Sequence, residues 1–158
     1  MAIAIGLTRG LTTIVDDEDS DVAQIPWYAT RYGYAVTNRK GQKRTTVFLH
    51  RVILERIVGG PLPPGLETDH INRDRLDNRR ENLRAVTRSE NQANSERPRG
   101  RSGYRGVRQG RAGSWYAQIS LAGKKICIGR FASPEAAAKA YDEVARHARG
   151  EFARLNNV

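Results

Sequence analysis

The 158-residue chain is strongly basic: 27 Lys and Arg against 17 Asp and Glu give a formal net charge of +10 and a pI of about 10.3. With 39% apolar and 7% aromatic residues and a mean hydropathy of −0.63 it can bury one modest core or two small ones, and no apolar run approaches a membrane span. The lone cysteine, Cys127, excludes an internal disulfide and a Cys-rich zinc site.

The charge is unevenly spread. Residues 97–158 carry 13 Lys and Arg against 4 Asp and Glu, whereas residues 1–96 carry 14 against 13. The C-terminal part therefore owns the basic field, and a polyanion, most commonly nucleic acid, is its expected partner. No basic segment followed by an apolar block opens the chain, so a soluble intracellular protein is expected, with no membrane association and no obligate protein partner.

Residues 1–48 read as β-rich. Ile3–Ile5 and Thr12–Val15 are short β-prone runs, and Thr45–Leu49 forms another after a basic turn at Asn38–Arg44. The acidic run Asp16–Asp21 reads as a solvated loop or helix start rather than a metal site, because like charges on consecutive residues rarely converge. Trp27, Tyr28, Tyr32 and Tyr34 are expected to pack beneath a small sheet rather than stack on DNA.

Leu49–Val58 shows helical apolar spacing, stopped by Gly59-Gly60-Pro61, and Pro63-Pro64-Gly65 turns the chain into a strand carrying Asp69-His70. That dipeptide sets a hard oxygen ligand beside an imidazole whose ordinary pKa lies near working pH. Thr87 and Glu90 form a capping-box pattern at a helix start, which places Asn91 in the first turn with its amide oxygen aimed back at Asp69. Phosphodiester hydrolysis needs a base to activate water, a divalent cation, and oxygen ligands to hold it. A pocket of this kind calls for a hard ion such as Mg²⁺.

The stretch from Leu49 to Asn94, with LHRVILE and ETDHINRDRLDNRRENLR, resembles the HNH endonuclease family, in the homing-endonuclease branch whose last His is Asn. The resemblance implies a ββα-metal unit: a strand ending at His70, a strand near Leu83–Val86, and the helix after Thr87. It implies His70 as general base, Asp69 and Asn91 as ligands to the cation, and Asn82 as a brace between the strands. His50 is either a supporting member of the site or a buried imidazole satisfied by a backbone carbonyl, and Arg51 is a candidate phosphate contact. Asp77-Asn78 reads as a turn or cap, and Asn94 as a solvated helix position.

Ser, Pro, Gly and arginine alternate through residues 95–103, which read as a linker. Tyr104–Gln109, Ser114–Leu121 and Lys124–Phe131 then suit a three-stranded antiparallel meander. Ser133-Pro134-Glu135 opens a helix with Ala136, Ala137, Ala140, Tyr141, Val144, Ala145 and Ala148 on one face, ended by Gly150. YRGVR, SWYAQIS, IGRF and SPEAAAKAYDEVARHARGEFARLNN resemble the AP2 DNA-binding domain. That resemblance implies a sheet that enters the DNA major groove and carries contacts onto Arg105, Arg108, Trp115, Gln118 and Lys125.

The expected architecture is α+β: a β-rich lead-in (1–48), an HNH unit (49–96), a basic linker (97–103), and a three-stranded antiparallel sheet packed on one helix (104–158). The expected function is a homing-type, nicking endonuclease on double-stranded DNA, positioned by the AP2-like unit and yielding 5′-phosphate and 3′-hydroxyl ends. The competing reading is a non-catalytic DNA-binding regulator with a relic HNH unit. The presence of Asp69, His70, Asn82 and Asn91 together argues against it.

Overall fold

The computed structural model describes residues 1–39, 45–94 and 101–158, Arg39 without its side chain; the basic turn from residue 40 and the linker up to residue 100 lie outside the described residues. The chain divides into two compact units, Met1–Arg88 and Ser89–Val158.

The first unit opens with the hairpin β1 (Ala2–Gly6) and β2 (Thr12–Asp16), followed by a 3-10 helix at Asp17–Gln24. Strands β3 (Tyr28–Ala29), β4 (Ala35–Arg39) and β5 (Thr45–Phe48) form an antiparallel sheet in chain order. Helix α1 (Leu49–Ile57) leaves β5 directly and buries Leu49, Ile53 and Leu54, one face of its apolar spacing. Strands β6 (Leu66–His70) and β7 (Leu83–Thr87) pair antiparallel, with Asp69 opposite Arg84 and His70 opposite Leu83. Val15, Val22, Trp27, Ala35, Leu49, Ile53 and Leu83 share one core, so the β-rich segment and the segment after it bury each other's apolar faces.

Two expectations for this segment change. Trp27 is buried and donates to the Val22 carbonyl at 2.8 Å, as packing requires, but Tyr32 is 59% exposed. The acidic run is not simply solvated: Asp19 is fully buried, taking 2.9 Å from Arg56 and 2.7 Å from Arg80. Consecutive acids diverge on a 3-10 turn, and one of them points inward to two arginines. Burial alone would raise the Asp19 pKa, but the Arg80 and Arg56 hydrogen bonds and charges hold it below the usual carboxylate value.

The second unit begins within α2 (Arg88–Asn94) and continues with β8 (Val107–Gln109), β9 (Trp115–Leu121), β10 (Lys124–Phe131) and α3 (Pro134–Arg149). The sheet order is β10-β9-β8, all antiparallel, with a register shift between Cys127 and Gly129. The first strand is three residues shorter at its start than the sequence suggests. Gly106 takes a φ of +73°, and a Cβ there would stand 2.1 Å from Tyr141 Cδ2. Ser133 caps α3 by accepting from the Ala136 amide at 3.1 Å, and Gly150 ends it. The buried face of α3 runs through Ala137, Ala138, Tyr141 and Ala145, whereas Ala136 and Ala148 are exposed. Asp142 is buried in that face because it accepts the backbone amides of Asn156 and Asn157, at 2.8 and 3.0 Å, clasping the C-terminal tail.

Candidate active site

The β6–β7 hairpin presents its polar residues at the strand ends. His70 is the last residue of β6 and is 5% exposed, as are Asp69 and Asn82. The Asp69 carboxylate accepts from Arg84 Nε at 2.9 Å, a cross-strand pair fixed by the register. Residues 71–82 close back on the hairpin through side chains. Asn82 Oδ1 accepts the Asn72 amide at 2.9 Å and its Nδ2 donates to the Asp77 carbonyl at 2.7 Å. Asn72 and Asp74 each accept a backbone amide two residues on, the Asx pattern that stiffens a turn. The Arg79 guanidinium holds the Asp77 carboxylate below its usual pKa.

His70 meets two other elements. Its Nε2 lies 3.2 Å from Asn78 Oδ1. Its ring stands against that of His50, the second residue of α1, and both face Tyr34 just ahead of β4, with centroid separations of 5.2 Å for His50 and 6.3 Å for His70. Phe48 packs on His50 at 5.3 Å, and the Arg75 guanidinium covers Tyr34 at 4.7 Å. Part of the His50 surface reaches solvent, yet its ring is enclosed by these neighbours. Burial, with the nearby His70 and Arg51 charges, pushes its pKa down to about 3. Burial also lowers the His70 pKa, against the opposing effects of Asn78 and of Asp69, Asp74 and Asp77. Burial thus favours the neutral form of both imidazoles, the form in which one can accept a proton.

His50, Asp69, His70 and Asn82 thus come together in the first unit. Asn91 stands half-buried in the first turns of α2, in the second. Arg51 is exposed on α1 and paired with Glu55 at 2.9 Å. Asn94 is 7% exposed, not a solvated position.

Asp69, in the first unit, carries a carboxylate, and Asn91, in the second, an amide oxygen. Both are hard oxygen donors of the kind a divalent ion takes. This suits Mg²⁺, which keeps several waters and takes substrate phosphate oxygens. Among the described residues no group of three His, Cys, Asp or Glu converges.

On the second unit the register sorts the candidate contacts. Arg108 pairs with Tyr116 and Tyr116 with Arg130, Gln118 with Cys127, and Ser120 with Lys125. These residues share the sheet face opposite Ala117 and Ile119, which are buried toward α3. Trp115 does not join them. It is one residue out of phase with Tyr116 and packs against the Val107–Tyr141 core. Arg105 is half-buried; its guanidinium donates to the Ala93 carbonyl of α2 at 3.2 Å, and its backbone is clasped by the Asn156 side chain at 2.6 and 3.2 Å.

Sequence reasoning missed Asn78 and Thr13, which join at 2.7 Å beneath His70. Asn78 is visible only as part of a turn, and Thr13 as a β-former 65 residues away.

The fold joins a β-hairpin and helix arrangement of the HNH kind to a module of three antiparallel strands and one helix. The HNH endonuclease family model matches residues 47–93, which span α1, the β6–β7 hairpin and most of α2. An uncharacterised HNH endonuclease of Acanthamoeba polyphaga mimivirus is 31% identical over 98% of this chain and 79% of its own length. The chain belongs to the HNH endonuclease family. Its C-terminal third is AP2-like. Dehydration-responsive element-binding protein 2C of Arabidopsis thaliana is 49% identical over 55 residues, 34% of this chain and 16% of that protein. An ethylene-responsive transcription factor of the same plant is 42% identical over 55 residues, 30% of its length.

Proposed function

We propose that this protein is a site-preferring, homing-type DNA endonuclease that hydrolyses one strand of a duplex at the Asp69–His70 site while its AP2-like sheet sets the position. The observation that carries the reading is a buried His70 at a strand end beside Asp69, held by the braced 71–82 loop. A proton from water passes to His70 as the water oxygen attacks phosphorus in line. The bond from phosphorus to the 3′ oxygen breaks, leaving a 5′-phosphate and a 3′ oxygen that takes up a proton from solvent. His70 then releases its proton to solvent and is ready again.

Asp69 and Asn91 would hold a divalent cation, which when bound supplies charge stabilisation at the phosphate and the leaving oxygen. Asn82 keeps the loop closed on the hairpin so that the base stays in place. Arg51 is a candidate phosphate contact. Arg108, Gln118 and Lys125 lie on the exposed sheet face with Tyr116 and Arg130, within a segment (97–130) that holds nine Lys and Arg and no acid. A duplex is the polyanion that such a face fits. Trp115 supports that face from beneath, and Arg105 joins it to α2.

One site per chain cuts one strand, so a monomer nicks. The test is to map product ends on supercoiled random-sequence plasmid with Mg²⁺. Open circles with ends clustered at a preferred sequence are expected. Intact plasmid with tight duplex binding would instead favour a non-catalytic regulator.

A further inference from the structure

The β2 strand is stitched to the loop beneath His70. The Ile14 amide donates to the Leu76 carbonyl and the Asn78 amide to the Ile14 carbonyl, both at 2.8 Å. These bonds carry two side chains into the interior, Thr13 at 0% and Asn78 at 1% exposure. The Thr13 hydroxyl has a single proton, and it goes to the Leu76 carbonyl at 2.7 Å. Towards Asn78, 2.7 Å away, the same oxygen can only accept. The Arg75 carbonyl, at 3.4 Å, is a second acceptor on the same side of the amide. Both demand the NH₂ end of Asn78, so its Oδ1 must be the atom facing His70 Nε2. A carbonyl oxygen cannot donate. The contact is a hydrogen bond only when Nε2 carries the proton, and the neutral ring then has its lone pair on Nδ1.

Resting on the base reading of His70 given above, we propose that Asn78, oriented by Thr13, is a positioning residue that fixes the His70 tautomer and makes Nδ1 the proton-accepting atom. The turn after β6 thus has a second purpose beyond closing the hairpin. The hairpin at the N-terminus reaches the reaction through one hydroxyl.

Imidazole nitrogen NMR on labelled full-length protein at about pH 8, with His70 assigned by its loss in a His70→Gln variant, reads the tautomer without any cleavage. The expected result is a proton on Nε2 in the wild type. Thr13→Val, close in shape but with no hydroxyl, should show a mixture of tautomers. Its single-turnover rate at saturating DNA should fall about 10–100-fold, the usual effect of losing an outer-sphere partner. Its Kd for DNA should hold, and Thr13→Ser should restore both spectrum and rate. Asn78→Ala should do the same more severely; if it does not fold, Thr13→Val and the wild-type spectrum still decide. A wild-type proton on Nδ1, or an unchanged single-turnover rate in folded Thr13→Val, overturns the proposal. Normal cutting by His70→Ala overturns the base reading instead, and is recognisable as that because the Nε2–H spectrum of the wild type would stand.

Discussion

The rings of His50 and His70 meet edge to face, with centroids 5.2 Å apart and planes at 83°. Two imidazoles this close cannot both be charged at small cost, and burial drives each toward neutrality. For His50 the folded pKa is about 3 against an ordinary 6.5. Above pH 6.5 neither folded nor unfolded chain protonates it, and it adds no pH dependence. Below 6.5 the unfolded chain binds the proton first, so stability falls with falling pH down to about 3, by at most about 1.4 kcal/mol per pH unit for this group. Chemical denaturation between about pH 7.5 and 4.5 should show that decline, and His50→Gln should flatten it. An equal slope in His50→Gln would assign the decline to other groups.

Asp19 is the second stability prediction. It is a buried carboxylate between Arg56 and Arg80, each about one-third exposed and each with another acid partner, Asp21 and Glu18 respectively. Asp19→Ala therefore leaves the arginines partly compensated and should cost about 2–3 kcal/mol, at or below the lower end for breaking a buried pair. Because its folded pKa is depressed, its contribution is present above the ordinary carboxylate value of 3.8 and is lost as pH falls below it. Denaturant midpoints for Asp19→Ala at neutral and strongly acidic pH should differ from wild type only at neutral pH.

Arg108 and Trp115 should fail in different ways. Arg108 is exposed on the face away from α3, so Arg108→Ala should leave the melting curve in place and weaken duplex binding. If it reads a base, discrimination at one position falls by about 1–3 kcal/mol. If it holds a phosphate instead, the log K against log salt slope shrinks by about 0.9. Trp115→Ala removes a side chain packed on the core and should lower the melting temperature first. Equal melting for the two variants would contradict the sheet-face assignment.

The separation of Trp115 from Arg108 shows where the sequence runs out. Strand existence, the Ser133 cap and the Gly150 stop are local and were legible, as was the Leu49–Ile57 helix from its spacing. Phase across a hairpin is not local. Only the turn at Gly110–Gly113 decides that Arg108 meets Tyr116, and that set Trp115 on the other face. The strand that ends at Asp69-His70 and the short helix holding Asn91 were legible because their signals are contained within twenty-odd residues. Asp19, Tyr34, Thr13 and Asn78 were not, because each acquires its meaning from a partner that folding brings from a distant segment.

The oxygen donors carry the metal prediction. EDTA should stop cutting, and Mg²⁺ should restore it. Asp69→Ala and Asn91→Ala should each lose activity, with partial recovery at raised Mg²⁺ or Mn²⁺ where affinity alone is damaged. Titration of cleavage rate against metal concentration separates the two effects. Full activity of the wild type in EDTA would rule out the cation.

Single-turnover cleavage of a mapped site by His70→Ala, beside a DNA-binding isotherm of the same protein, tests the central assignment most directly. Removing a general base should slow cleavage by about 10²–10⁴-fold while affinity stays within a few fold. A His70→Ala protein that cuts at the wild-type rate with unchanged binding would contradict it.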